Sequence, residues 1–216
     1  MKDKKLLSVS IFIIALAYLE SAIVVYLRGL YGIEVLLRDI NLTPDKYTFI
    51  EIGREAATIV MLVTIALIAG NSKPKKWGYF FLSFGLWDIF YYIWLYILIQ
   101  WPQSLLEWDI LFLIPLPWWG PVLTPVLISL LLIAIGYLLI NEIKFKITVL
   151  DWSIILLSIV VILFTFVEDS INVILTGVGD ITQIKPIKFN WTLYLIAFSS
   201  WVFISIKVFY TGLMKK

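Results

Sequence analysis

Several acidic residues lie within stretches that are otherwise apolar, and their spacing suits a binding site. The segment FIEIGREAATIVML contains Glu51, Arg54 and Glu55 ahead of a long apolar run. Because residues four apart share a helix face, Glu51 and Glu55 project from one face with Arg54 beside them. The carboxylates could bind a cation or protons, and the guanidinium could hold a phosphate or carboxylate group.

Three further segments carry polar residues at helical spacing. Asp88 shares a face with Tyr91 and Tyr92, whose hydroxyls can donate to a carboxylate, and Glu20 lies two turns before Arg28. The third stripe has i, i+3, i+4, i+7 spacing and comprises Thr165, Glu168, Asp169 and Asn172. We expect all four stripes to face one outward-opening cavity. The candidate ion- or substrate-binding residues are Glu20, Glu51, Arg54, Glu55, Asp88, Tyr92, Glu168, Asp169 and Asn172.

Structural explanations compete with these functional ones. Glu51 lies near the first turn of its helix, where the helix dipole favours a carboxylate. Arg54 could form an internal salt bridge with Glu55, or pair across helices with Glu20 or Asp88, so that polar groups are buried in pairs. Asp88 has no basic residue within two turns, so its partner must lie on another helix or it must be protonated.

The sequence leaves three functions open. Intramembrane carboxylates bind cations or protons in transporters and channels, which is the first interpretation. In the second, Glu20, Glu55, Asp88 and Glu168 are oxygen ligands of Mg²⁺, Mn²⁺ or Ca²⁺ in an enzyme that acts on a lipid or isoprenoid at the outer leaflet. In the third, the protein is a membrane subunit or scaffold of a larger complex, or a homo-oligomer.

The absence of histidine and cysteine excludes several sites. The chain contains neither residue, so bis-His haem sites, zinc sites built on imidazole or thiolate, and His-based catalytic triads are not expected. The basic residues occur in short clusters between apolar runs and the net charge is only +2. We therefore expect a lipid bilayer with a small cation or lipid ligand as partners, and no nucleic acid.

The composition predicts a polytopic membrane protein. Hydrophobic residues make up 62% of the chain, well above the roughly 45–50% of soluble domains. An apolar helix of about 20 residues crosses the hydrocarbon core. We predict one all-α domain over residues 1–216, with six spans near 6–30, 48–70, 77–100, 121–141, 152–174 and 191–213. The second span ends at Gly70. Counting about 20 residues back from it places Arg54 and Glu55 inside the outer edge of the hydrocarbon core.

Basic residues between the spans predict the orientation. One side receives Lys2, Lys4, Lys5, Lys73, Lys75, Lys76, Lys144, Lys146, Lys207, Lys215 and Lys216, and the other receives Arg28, Arg38, Lys46, Lys185 and Lys188. Positive residues favour the cytoplasmic side. We expect both termini in the cytoplasm and the protein in the cell (inner) membrane.

The connection between the third and fourth spans, WPQSLLEWDILFLIPLPWWGP, is rich in tryptophan and proline. Prolines at 115, 117 and 121 prevent a continuous helix, and we expect the tryptophan rings at headgroup level of an interfacial segment. Glu107 and Asp109 then either lie in water or hang over the cavity as a lid.

Overall fold

The computed structural model describes residues 2–33, 46–143, 145–176 and 188–213. Its six long helices are α1 (Lys2–Tyr31), α2 (Lys46–Ala69), α3 (Lys73–Ile99), α4 (Leu123–Ile140), α5 (Val149–Thr176) and α6 (Trp191–Leu213). Each is long and apolar enough to cross a membrane. The prediction of a six-helix, multi-pass membrane protein is therefore confirmed at this level, with span boundaries that shift by a few residues.

Local sequence signals explain several helix boundaries. Pro74 occupies the first turn of α3, where the missing N–H costs nothing, and Gln100 ends this helix with a left-handed backbone. At the start of α5, the Thr148 hydroxyl accepts from the Asp151 N–H at 3.2 Å while Asp151 accepts from the Thr148 N–H at 3.0 Å. This reciprocal capping satisfies N–H groups that the helix itself leaves unpaired.

A β-hairpin joins α3 to α4. Strand β1 (Trp108–Phe112) pairs antiparallel with β2 (Trp118–Pro121), with a register irregularity between Ile110 and Phe112. The sequence predicted a non-helical segment here but not strand pairing. Proline removes backbone donors and blocks helix, and the extended chain pairs its remaining backbone groups within the hairpin.

The tryptophans of the hairpin pack against the protein. Trp119 is only 1% exposed. Trp118 stacks on Phe166 of α5, with ring centroids 6.3 Å apart. The Ser170 hydroxyl on α5 also donates to the Pro117 carbonyl at 2.8 Å. The hairpin is therefore fixed to the helix bundle by aromatic packing and by hydrogen bonds.

Helices α3 and α4 approach closely through small residues, which we call the glycine seam: Gly78, Gly85, Ser129 and Gly136. A Cβ atom built on Gly85 would lie 2.5 Å from the Ser129 carbonyl oxygen, and one on Gly136 would lie 2.6 Å from the Gly78 carbonyl oxygen. Small residues allow membrane helices to pack backbone against backbone. The seam fixes α4 beside the polar face of α3.

Helix α3 is central, because α1, α2 and α4 all pack against it, while α5 and α6 pack against each other. Three contacts join helix ends at one end of the bundle, which we call the lysine end. Lys5 donates to the Ala69 carbonyl at 3.1 Å, Lys75 pairs with Glu142 at 2.8 Å, and Lys207 pairs with Asp151 at 2.7 Å. The opposite end carries the hairpin and is called the hairpin end.

The described basic residues alternate between the two ends of the bundle as predicted. The end that faces the cytoplasm stays a prediction. Arg38, Lys144, Lys185, Lys215 and Lys216 lie outside the described residues, as does the Lys2 side chain.

Candidate functional site

A cavity of about 150 Å³ lies between α1, α2, α3 and strand β1. It reaches from Glu20 and Trp87 within the bundle to Tyr31 and Thr48 at the hairpin-end termini of α1 and α2. We call it the acidic cavity because five carboxyl side chains line it: Glu20, Glu51, Glu55, Asp88 and Asp109. Three of the four predicted polar stripes therefore converge, together with one residue of the hairpin.

Arg54 connects two of these carboxylates. Its guanidinium forms a salt bridge with Glu20 of α1 and another with Glu51, one turn earlier on α2. Thr58, one turn further along α2, donates to Glu20 at 3.0 Å. Of the partners that the sequence offered for Arg54, the structure selects Glu20, and the two helices are joined by this polar contact.

Glu55 has a different partner from the one expected. Both of its carboxylate oxygens accept the Leu113 backbone N–H, at 3.1 and 3.0 Å. Leu113 directly follows strand β1, and Glu55 is only 6% exposed. The side chain therefore caps an unpaired N–H of the hairpin, and the predicted Arg54–Glu55 salt bridge is replaced by this contact between α2 and the hairpin.

Asp88 has its partner on another helix, at the glycine seam. The Ser129 hydroxyl of α4 donates to its carboxylate at 2.8 Å. The neighbouring Tyr92 hydroxyl donates at 3.0 Å to Asp109 of the hairpin and not to Asp88. Among the described residues, neither Asp88 nor Glu55 forms an ion pair.

Asp109 is buried, which excludes the interpretation that places its carboxylate in water. The residue is 4% exposed, and Arg28 approaches it at 3.9 Å. The Arg28 guanidinium also lies over the Trp101 ring, 3.9 Å from its centroid. Burial raises the pKa of the Asp109 carboxyl from 3.8 to about 6, although Arg28 and the Tyr92 hydroxyl act in the opposite direction.

This pKa predicts a pH-dependent stability. Between pH 3.8 and about 6 the folded protein holds a proton on Asp109 that the unfolded chain releases, so the contribution of Asp109 to stability falls as pH rises through this window. Asp109→Asn should remove a pH-dependent change of up to roughly 3 kcal/mol in the free energy of unfolding. Thermal unfolding in detergent from pH 4 to 7 measures it as the difference between wild type and variant.

Glu107→Gln, on the same segment, provides the control and should leave the wild-type pH dependence in place. Glu107 accepts local N–H groups from Gln103 and Ser104 at 2.9 and 3.2 Å and does not line the acidic cavity. A difference curve for Asp109→Asn that stays flat across the window would contradict the prediction.

The hairpin therefore places one of the two predicted lid acids, Asp109, at the cavity and leaves the other, Glu107, outside.

The acids of α5 lie elsewhere, so the expectation of four stripes in one cavity is wrong for this helix. Glu168 and Asp169 line a second cavity of about 370 Å³, together with Asn190 and Lys188. Asn190 donates to Glu168 at 3.3 Å. Asn172 is exposed and lines neither cavity.

The proposed four-carboxylate metal set is also divided between the cavities. Glu20, Glu55 and Asp88 line the acidic cavity, but Glu168 does not. Within the described ranges, no three acidic side chains stand close enough together to hold one metal ion.

Several site residues were not selected from the sequence. The sequence around these groups is apolar, and a single polar group in an apolar stretch forms no recognisable motif. They are Ser129, Trp87 and the Leu113 N–H. Trp87 lines the acidic cavity and is 7% exposed, and its indole N–H finds no acceptor among the described residues. One sequence signal for the contact between α3 and α4 was available. Gly78 and Gly85 are seven residues apart, as are Ser129 and Gly136, and small residues repeated on one helix face indicate a close helix pair.

Comparison of the chain with protein-family models, with curated proteins and with solved structures finds no match.

Proposed function

We propose that the protein binds a cation or protons in the acidic cavity and is transporter- or channel-like. One observation carries the proposal: among the described residues, five carboxyl groups line the cavity against two guanidinium groups, those of Arg28 and Arg54. Uncompensated charge inside a membrane costs about 2.5–3.5 kcal/mol per residue on insertion scales. Bound cations or protons would balance the excess carboxyls.

The hydrogen bonds of two acids support the proposal. Among the described residues, Glu55 and Asp88 accept from neutral donors, the Leu113 N–H and the Ser129 hydroxyl. Each carboxylate has lone pairs beyond those used by these donors. A cation that enters the cavity would therefore find free lone pairs on each acid without breaking the Arg54 salt bridges.

The cavity would take up its cation from the hairpin end, which we propose to be the outer side because the lysine end carries more basic residues. Towards the lysine end, Ile13, Leu62 and Leu82 are buried in an apolar cluster. Transport across the membrane would require these side chains to separate, and ion binding alone would not.

The experiment is flux into proteoliposomes, followed with an internal pH dye for protons and with isotopes for Na⁺ and K⁺. We expect Glu55→Gln and Asp88→Asn to lower flux at least tenfold, because each removes a carboxylate without a basic partner. Asp169→Asn is the matched control, since this acid lines the second cavity, and its flux should equal that of wild type. Wild-type protein without flux, or equal losses in all three variants, would overturn the transport function.

A further inference from the structure

We propose that the ligand of the acidic cavity is a zwitterion, in which an ammonium group is joined to an oxyanion, either a carboxylate or a phosphate. The inference rests on the proposed function, because the ammonium group is the cation of that proposal and the oxyanion is an addition to it. Two observations carry it: a difference between the two arginines that line the cavity, and the charge that surrounds them.

The two arginines differ in how far their donors are used. A guanidinium group carries five N–H donors. Arg54 forms salt bridges with both Glu20 and Glu51, and its Nε donates to Glu51 at 2.9 Å. In the described part of the chain, Arg28 has Asp109 as its nearest carboxylate, at 3.9 Å, which is longer than a hydrogen bond. Arg28 therefore keeps donors for a ligand that Arg54 has already used.

Arg28 is held in place while its donors stay open. Its guanidinium lies over the Trp101 ring, 3.9 Å from the centroid, and its side chain is 11% exposed. Its nitrogens are not among the enclosed atoms that lack a hydrogen-bond partner, so they keep surface that a ligand can reach in the cavity that Arg28 lines. Stacking covers one face of the guanidinium and leaves the N–H groups at its edge, which suit a two-point contact with a carboxylate or phosphate.

The charge of the cavity selects against a simple anion and a simple cation alike. The five carboxyl groups among the described lining residues would repel an anion. A cation alone would leave the Arg28 donors unused, which is unfavourable for a largely buried group. A zwitterion places its ammonium group near Glu55 or Asp88 and its oxyanion at Arg28. Because this ligand is neutral overall, the remaining excess carboxyls would hold protons, as the proposed function allows.

Isothermal titration of the purified full chain in phosphatidylglycerol nanodiscs tests the inference. The probes are glycine, 4-aminobutyrate and 6-aminohexanoate, each compared with the alkylammonium ion and the alkanoate that correspond to its two ends. We expect at least one zwitterion to bind about tenfold or more tightly than its alkylammonium ion, because the oxyanion adds hydrogen bonds to a charged donor. The alkanoates should bind more weakly than either.

Arg28→Gln separates the two ends of the ligand. It should lower the affinity of the zwitterion to that of its alkylammonium ion. The alkylammonium ion itself should bind at least as tightly as to wild type, which also shows that the variant is folded. Arg28→Lys should recover part of the difference, since an ammonium group cannot make the two-point contact. Asp88→Asn should weaken both probes about tenfold, and Asp169→Asn, in the second cavity, should change neither.

The composition of the nanodiscs distinguishes a lipid headgroup from a free zwitterion. If the phosphoethanolamine headgroup of a lipid is the ligand, adding phosphatidylethanolamine should abolish the binding of the soluble zwitterion. If the ligand is a free zwitterion, this lipid should change nothing.

Zwitterions that bind no more tightly than their alkylammonium ions would overturn the inference and leave cation binding intact. Proton or Na⁺ flux without binding of any zwitterion would do the same. Absence of binding by every probe, with no proton or ion flux, would overturn the proposed function as well.

Discussion

Gly85→Ala should destabilise the protein by about 1–3 kcal/mol, which is the typical cost of forcing an extra methyl group into a packed site. The new Cβ would lie 2.5 Å from the Ser129 carbonyl oxygen, so α3 and α4 must move apart. Gly136→Ala should act similarly, with its Cβ 2.6 Å from the Gly78 carbonyl oxygen. Thermal unfolding and size-exclusion chromatography in detergent give the measurement, and Gly85→Leu should yield no monodisperse protein.

The same methyl group placed elsewhere should have the opposite effect. Gly53 on α2 and Gly29 on α1 have nothing within 4 Å of a new Cβ, and alanine exceeds glycine in helix propensity by up to about 1 kcal/mol. We therefore expect Gly53→Ala and Gly29→Ala to be neutral or stabilising. Equal effects at all four glycines would show that the seam is not a close helix contact.

Arg54→Met should cost about 3–5 kcal/mol, because it leaves the carboxylates of Glu20 and Glu51 without their cation. Glu20 is 5% exposed, so water cannot easily replace the guanidinium. The loss is measured as the unfolding temperature in detergent and as the yield of folded protein in the membrane fraction.

A double variant tests whether the loss arises from the unpaired charge. Glu20→Gln removes one of the two charges that Arg54→Met strands, so the double variant should recover part of the stability. A double variant that is less stable than Arg54→Met would mean that Arg54 acts through the packing of its side chain and not through the ion pair.

The sequence predicted the helices well because their signal is local. Each span is a run of apolar residues of about the length that crosses a bilayer, and the six predicted spans overlap the six helices of the structure. The hairpin depends on pairing between Trp108–Phe112 and Trp118–Pro121 across a proline-containing turn. Sequence patterning could exclude a helix there but could not supply the partner strand.

The site was predictable in part, for a related reason. Helical phase showed which face of α2 carries Glu51 and Glu55, but it could not show that Glu55 bonds to the Leu113 N–H of the hairpin. The prediction that Glu168 lines the acidic cavity is wrong. Helical periodicity shows on which face of its helix a residue lies, but not which neighbouring element packs against that face. In the structure α5 packs on α6 and β2, which directs its acids away from the acidic cavity.

The contact between α1 and α2 has a consequence for how a ligand reaches the cavity. The two helices contact each other little and are both held by α3. Beside the Lys5 contact at the lysine end, the salt bridge of Arg54 to Glu20 and the Thr58 hydrogen bond connect them at the acidic cavity. Separating these side chains, together with the Tyr31 and Tyr47 rings at the hairpin end, would open the cavity sideways between α1 and α2. A membrane-dissolved amphiphile could then enter through the wall while the hairpin stays in place.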